Sequence, residues 1–320
     1  MLVHSHQVVV SVVVPVFNEE ENLRKLVDEV LSTLSETGLC YELILVDDGS
    51  TDRTAVLLKE LASESPHIKG LLLRRNFGQT AAMAAGFDHA VGEVIVPMDG
   101  DLQNDPRDIP RLLAKMDEGY DVVSGWRKDR KDKLVSRRLP SILANALISR
   151  MTDVSLHDYG CSLKAYRREV LSGINLYGEL HRFVPALASQ FGAKVAEIPV
   201  NHRPRGAGTS KYGIDRTLRV VLDLLTVKFL LKFSTRPMQL FGRWGVWTFA
   251  AAGFSGLSTL YMKVFEGLSM NRNPLLVLTA FLLFSGVQFL VLGLVAELVT
   301  RTYHETQNKP VYVVRDKLNF

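Results

Sequence analysis

A chain of 320 residues with 38 Lys and Arg against 34 Asp and Glu has a formal charge of only +4, too little to bring it to nucleic acid by charge alone. Hydrophobic residues make up 47% of it, which excludes a disordered chain. Cys40 and Cys161 are the only two cysteines; without metal-finger spacing they exclude a disulfide framework or zinc module and fit free thiols in a reducing compartment.

Residues 1–235 mix charged and apolar residues as a soluble domain does, whereas residues 238–299 are almost wholly apolar. Lys228, Lys232, Arg236, Arg243, Arg301 and Lys309 flank the apolar part, a pattern that suits an anionic membrane surface better than nucleic acid. The opening MLVHSHQVVVSVVVPVF lacks a basic leader and a small-residue cleavage site, so a buried strand is expected there and the soluble part is expected to stay in the cytoplasm.

The β-branched run Val8–Pro15 predicts a strand buried on both faces. Leu23, Leu26, Val27, Val30, Leu31 and Leu34 recur at helical spacing within Glu19–Leu34. Further strands are expected at Tyr41–Val46, Ile68–Leu73, Val94–Met98, Asp121–Gly125 and 194–201, with helices near Thr51, at Gln79–Ala90 and at Pro106–Glu118. This alternation predicts an α/β domain with a mostly parallel sheet, whose ligands bind beyond the carboxyl ends of the strands. Residues 126–138 form a charged loop, a helix is expected over Leu139–Met151, and Ile214–Phe233 has the spacing of amphipathic helices at a bilayer surface. Met238–Met262 and Pro274–Ala296 are each long enough to span a bilayer, which takes about 20 apolar residues. The basic flanks place both termini of that hairpin in the cytoplasm. The expected organisation is a catalytic domain over 1–212, juxtamembrane helices over 213–237, two spans within 238–299 and a tail over 300–320.

Two acidic turns follow strands. Asp99-Gly100-Asp101 holds two carboxylates one residue apart; such a turn can grip a hard divalent cation and leave positions open for substrate phosphates, or can be a solvated loop. In Asp47-Asp48-Gly49-Ser50-Thr51-Asp52 a carboxylate can accept from a base or a ribose hydroxyl, and Ser50 or Thr51 can cap a helix. Pro15-Val16-Phe17-Asn18-Glu19 ends the first strand at the same edge, where Phe17 packs on a base or in the core. Arg203, Arg205 and Lys211, set among Gly206 and Gly208, suit phosphates, although GAGTSK is not a P-loop. Arg127, Arg137 and Arg138 suit a lipid phosphate or lipid head groups. Asp158 is either a base near an acceptor or a structural cap.

VVVPVFNEEENL, LVDDGSTDRT, RRNFGQTAAMAAGFDHA and PMDGDLQNDP, in that order, resemble glycosyltransferase family 2, and with DYGCSLKAYRREV and GTSKY the polyprenyl-phosphate glycosyltransferases within it. The resemblance implies a GT-A (Rossmann-like) fold and inverting transfer of one sugar, UDP-glucose being the favoured donor, to polyprenyl phosphate at the inner membrane. GDP-mannose, UDP-N-acetylglucosamine or an aminosugar are the other donors. It implies that Pro15, Phe17, Glu19 and Asp48 hold the nucleotide and that Asp99, Asp101 and Gln103 bind Mg²⁺ or Mn²⁺. Arg127, Arg203 and Lys211 would contact phosphates, Arg137 or Arg138 the acceptor, and Asp158 would lie near the reaction centre. A tetramer is also implied. Where many relatives read DLQDPP this chain reads DLQNDP, which leaves both aspartates in place. A processive polysaccharide synthase fits less well, because Gln239 to Trp244 has one residue more than QxxRW. A non-catalytic membrane scaffold is the reading from another class, and the intact acidic turn opposes it.

Overall fold

The computed structural model describes residues 8–128, 149, 154–174, 176, 180–203, 237–270, 273–306 and 311–320. The chain forms two compact units, Met1–Leu224 with Pro310–Phe320, and Leu225–Lys309.

The first unit is built on strands β1 (Val10–Val16), β2 (Tyr41–Asp47), β3 (Ile68–Leu73), β4 (Val94–Pro97), β5 (Val122–Trp126), β6 (Lys164–Arg167), β7 (Val195–Pro199) and β8 (Val314–Leu318). They form one sheet in the order β7-β5-β6-β4-β1-β2-β3-β8. Helices α1 (Leu23–Glu36), α2 (Thr54–Glu64), α3 (Gln79–His89) and α4 (Ile109–Asp117) connect the early strands, and a single 3₁₀ turn at Pro106–Asp108 leads into α4. Later come α5 (Arg168–Ser172) and α6 (Val184–Gln190). The valine run makes β1 a central strand, parallel to both β2 and β4. On one face Val10, Val12 and Val14 pack with Leu23, Leu26, Val27 and Val30 of α1. On the other face α3 presents alanines and Gly86, where an added Cβ would collide with Val13. Small residues let that helix lie close to the sheet.

The sheet is less parallel than the sequence suggests. β6 runs antiparallel between β4 and β5, so its amino end meets the carboxyl ends of its neighbours. β8 pairs antiparallel with β3 and closes that edge. The apolar tail residues Val311–Val314 read as an edge strand that pairs with a neighbour; the strand lies slightly later, at Val314–Leu318, and pairs within its own chain. Tyr312 Oη donates to Asp88 (2.9 Å) and the Asn319 amide to the carbonyls of Ala62 (2.6 Å) and Ile68 (2.8 Å).

The second unit is a pair of packed helices, α7 (Pro237–Phe265) and α8 (Pro274–Thr306). Thr279 Oγ1 lies 3.0 Å from Ser255 Oγ between them. Their outer faces expose large apolar side chains, Trp247 at 66%, Phe254 at 76% and Phe281 at 64%, which water does not favour. Among the described residues one helix segment, Pro274–Ala296, is long and apolar enough to cross a membrane. The expected partner span is diluted by Gly242, Gly245, Gly253, Gly256, Ser255, Ser258 and Thr259. Most of the expected 126–138 loop and 139–151 helix, and all of 213–236, lie outside the described residues.

Candidate active site

The loops after β1 and β2 are laced into one unit at the carboxyl end of the sheet. Asn18 takes a positive φ of 56°; its N–H donates to Ser50 Oγ (2.9 Å), and its Oδ1 accepts from Thr51 N–H (2.8 Å). Glu19 N–H donates to Thr54 Oγ1 (2.9 Å), while the Glu19 carboxylate accepts from the Asn22 amide (2.7 Å). Phe17, 41% exposed, stands clear of the core. Asp48 is buried, and its two oxygens accept from the backbone N–H of Phe77 (2.7 Å) and Gly78 (2.9 Å). Asp47, also buried, accepts from Ser50 N–H (3.1 Å). Burial raises the carboxyls of both above the ordinary aspartate range, against the pull of these bonds. Gly49 has φ +70°, and a side chain there would strike Asn76 N at 2.7 Å, so the turn requires glycine.

Asp99 and Asp101 follow β4 beside Pro15 and Val16; a Cβ on the intervening Gly100 would lie 3.1 Å from Val16 Cγ1 and 3.4 Å from Pro15 O. Asp99 is gripped by side chains rather than by backbone. Gln79 Nε2 at the start of α3 donates to its Oδ1 (2.8 Å), and Ser162 Oγ lies 2.7 Å from its Oδ2. Ser162 Oγ is also 2.9 Å from Asn104 Oδ1, which accepts from Asp99 N–H (3.2 Å). Burial, and then the neighbouring Asp101, raise the Asp99 carboxyl; Ser162 opposes the rise. Asp101 Oδ1 accepts from Gln103 N–H (3.2 Å) across Leu102, whose φ is +61°.

On the far side, at the end of β5, Arg127 holds Asp158 with two parallel bonds, Nε to Oδ2 (2.6 Å) and Nη2 to Oδ1 (2.9 Å). The antiparallel β6 brings the 158–162 turn here. The buried Lys164 supports it from below, donating to the carbonyls of Tyr159 (3.3 Å) and Cys161; burial lowers the Lys164 pKa. His181 Nδ1 lies 2.6 Å from Thr80 Oγ1, next to Gln79, and burial with Arg182 pushes this imidazole down to about 3. Arg203 is 2.5 Å from Glu29 Oε2 and 2.7 Å from Asp105 Oδ1.

The structure thus gathers Pro15, Phe17, Glu19 and Asp48 at the ends of β1 and β2, Asp99, Asp101 and Gln103 at the end of β4, and Arg127 with Asp158 at the end of β5. Arg203 is committed to two carboxylates. Arg137, Arg138 and Lys211 lie outside the described residues. Gln79, Lys164 and the Ser162 hydroxyl carry no role in the sequence reading, and His181 reads there as structural rather than catalytic. Ser162 and Lys164 stand inside DYGCSLKAYRREV, yet only the antiparallel strand shows that Ser162 reaches Asp99 while Lys164 holds the carbonyls of Tyr159 and Cys161. Among the described residues no three His, Cys, Asp or Glu side chains are grouped to hold a metal. Two carboxylates and the Gln103 amide are hard oxygen donors of the kind Mg²⁺ or Mn²⁺ takes when substrate phosphates and water complete its shell.

The solved structure of glucosyl-3-phosphoglycerate synthase from Mycobacterium tuberculosis, in complex with Mn²⁺, UDP and phosphoglyceric acid, has a similar fold: TM-score 0.54 at 20% identity, covering 69% of this chain and 78% of that one. That likeness makes the first unit a GT-A-like mixed α/β domain. The chain is 45% identical over 309 residues, 95% of its length and 91% of the relative's, to the dodecaprenyl-phosphate galacturonate synthase of Rhizobium johnstonii. It is 39% identical over 311 residues, 97% of its length and 92% of the relative's, to the undecaprenyl-phosphate 4-deoxy-4-formamido-L-arabinose transferase of Shewanella sediminis. The model of the glycosyl transferase family 2 matches residues 11–174. A carboxylate turn at the end of a central parallel strand, an arginine–aspartate pair facing it and these matches together make the chain a glycosyltransferase that belongs to glycosyl transferase family 2.

Proposed function

We propose that this enzyme moves one sugar from a nucleotide-sugar to the phosphate of a polyprenyl phosphate. The observation that carries the reading is the oriented Asp99–Asp101 pair, in a chain similar over 95% of its length to a relative named for such a lipid product. Asp99, Asp101 and Gln103 would hold Mg²⁺ or Mn²⁺; when bound, such a cation offsets the charge that gathers on a leaving nucleoside diphosphate. The residues do the rest by alignment. Phe17 and the laced loops of Pro15–Glu19 and Asp47–Thr51 form a wall for the nucleoside, with Asp48 fixing that wall through the 77–78 backbone. Arg127 brings positive charge to the phosphates and, through its paired bonds, sets the place of Asp158.

The acceptor phosphate is already an anion, so an oxygen of it can attack the sugar C1 while the C1–O bond to the nucleoside diphosphate breaks. No strong base is needed, and inversion follows from attack opposite the leaving group. Asp158, tied up by Arg127, suits positioning better than proton transfer. The donor is the finer question. UDP-glucose is the expectation from sequence, and the names of the two relatives weigh towards a galacturonate or formamido-arabinose donor. We also read Pro274–Ala296, with Met238–Met262 beside it, as the membrane anchor of an enzyme working on the cytoplasmic side.

The full chain in detergent, incubated with polyprenyl phosphate, Mn²⁺ and UDP-glucose, UDP-galacturonate, a formamido-arabinose donor, UDP-N-acetylglucosamine and GDP-mannose in turn, tests this. Release of nucleoside diphosphate with formation of a single-sugar lipid is expected from one of these donors. Polymer formation, or no transfer from any of them, would refute the reading.

A further inference from the structure

Residues 201–203 are stitched along the segment that follows the acidic turn. Arg203 N–H donates to Gln103 O (2.9 Å), and His202 and Asn104 form an isolated antiparallel bridge. Asn201 N–H donates to Asp108 Oδ2 (2.6 Å), and its amide to Asp105 Oδ2 (2.9 Å). The Arg203 guanidinium then forks: Nη2 meets Asp105 Oδ1 (2.7 Å), and Nη1 meets Glu29 Oε2 (2.5 Å) on α1. Asp105 is buried, and the Arg203 and Glu29 side chains are only 24% and 27% exposed.

We infer that Glu29, Arg203 and Asp105 form a brace that holds the Asp99–Gln103 turn in its metal-binding shape, which makes Arg203 a positioning residue and not a phosphate ligand. The inference rests on the metal reading of that turn given above. Both arms of the guanidinium fork are spent on carboxylates from two different elements. Turning it to a phosphate would take from the half-buried Glu29 its ion-pair partner and from the buried Asp105 the closer of two cations, leaving only the exposed Arg107 at 3.5 Å, a costly exchange. The turn also needs outside support. Leu102 holds a positive φ, unfavourable for a residue with a side chain, and such a conformation persists only where its surroundings fix it. Gln103 and Asp105 are the anchor points of the brace. Asn104 between them accepts from Asp99 N–H, so a shift in this segment is passed directly to the first aspartate.

The test measures transfer by the full chain in detergent as a function of Mn²⁺ concentration, and donor KM at saturating Mn²⁺, with melting midpoints alongside. Arg203→Met is expected to raise the half-activating Mn²⁺ concentration about tenfold and to lower kcat by a similar factor, with donor KM within about twofold. Glu29→Gln should shift the same two quantities in the same direction, and the double variant should be no worse than Arg203→Met, since both remove one brace. Arg203→Lys should recover part of the loss, a point charge being unable to fork between two carboxylates. If Arg203 instead bound phosphate, Arg203→Met would raise donor KM and Glu29→Gln, by freeing the guanidinium, would not; that overturns the brace. A rate loss that follows the melting midpoint, with unchanged half-activation by Mn²⁺, also overturns it. Wild-type transfer that needs no divalent cation, with Asp101→Asn fully active, refutes the metal reading itself and removes the brace with it.

Discussion

The two acidic turns of this enzyme have nearly the same sequence character and opposite internal lives. Asp47 and Asp48 end β2, are buried, and accept from backbone N–H groups of Ser50, Phe77 and Gly78. Asp99 and Asp101 follow β4, on the other side of β1, are only half-buried, and Asp99 is gripped by the side chains of Gln79 and Ser162. A carboxylate saturated by backbone is part of the fold, because losing it orphans N–H groups that nothing else satisfies. One held by an amide and a hydroxyl keeps lone pairs for a ligand and a defined direction. On the proposed function, that difference gives the first turn the building of the nucleoside wall and the second the metal and diphosphate.

Substitutions at the two turns should therefore fail in different ways. Asp99→Ala and Asp101→Ala are expected to lower transfer about a hundredfold or more in a radiolabelled-sugar lipid assay while the melting midpoint stays near that of the parent. Near-normal transfer by either would erase the distinction. Asp48→Ala should instead destabilise, by about 2–3 kcal/mol, as two buried N–H groups lose their acceptor; a thermal melt with an unchanged midpoint would count against a structural Asp48. Gln79→Leu and Ser162→Ala, which leave Asp99 in place without its guides, should cost about tenfold each in kcat, with little change in stability. Equal losses in donor KM and none in kcat would instead make them donor-binding groups.

A last expected effect, on stability and not on transfer, lies beside the second turn, at His181. Its imidazole is pushed from the ordinary 6.5 to about 3, so between those values the unfolded chain holds a proton that the folded chain does not. Stability from this group is intact above about pH 6.5 and is lost as pH falls towards 3, by up to about 1.4 kcal/mol per pH unit. Melting from pH 7.5 down to about 5 should show a shallower decline for His181→Gln than for the parent. Parallel curves would mean that His181 protonates freely in the fold.

Much of this was legible in the sequence because the early part of the domain is regular. The valine run, the helical spacing of Leu23 to Leu34 and the acidic residues placed right after strands give β1, α1 and both turns to within a few residues. The legible part ends where neighbours in space are distant in the chain. No local period marks the four residues Lys164–Arg167 as an antiparallel insertion, so Ser162 could not be aimed at Asp99, nor Lys164 at the carbonyls of Tyr159 and Cys161, in advance. The tail strand Val314–Leu318, VRDKL, is polar, so the sequence points instead to the apolar Val311–Val314 just before it, and only the pairing with β3 fixes where the strand lies. Arg203 reads from sequence as a phosphate contact because its surroundings are rich in glycine. Its partners Glu29 and Asp105 lie 174 and 98 residues away in the chain.

The most direct test of the central claim is Mn²⁺ binding to the purified full chain, followed by paramagnetic resonance. One tightly bound ion per chain is expected for the parent and for Asp48→Asn, and none for Asp101→Asn. Undiminished binding by Asp101→Asn would contradict it.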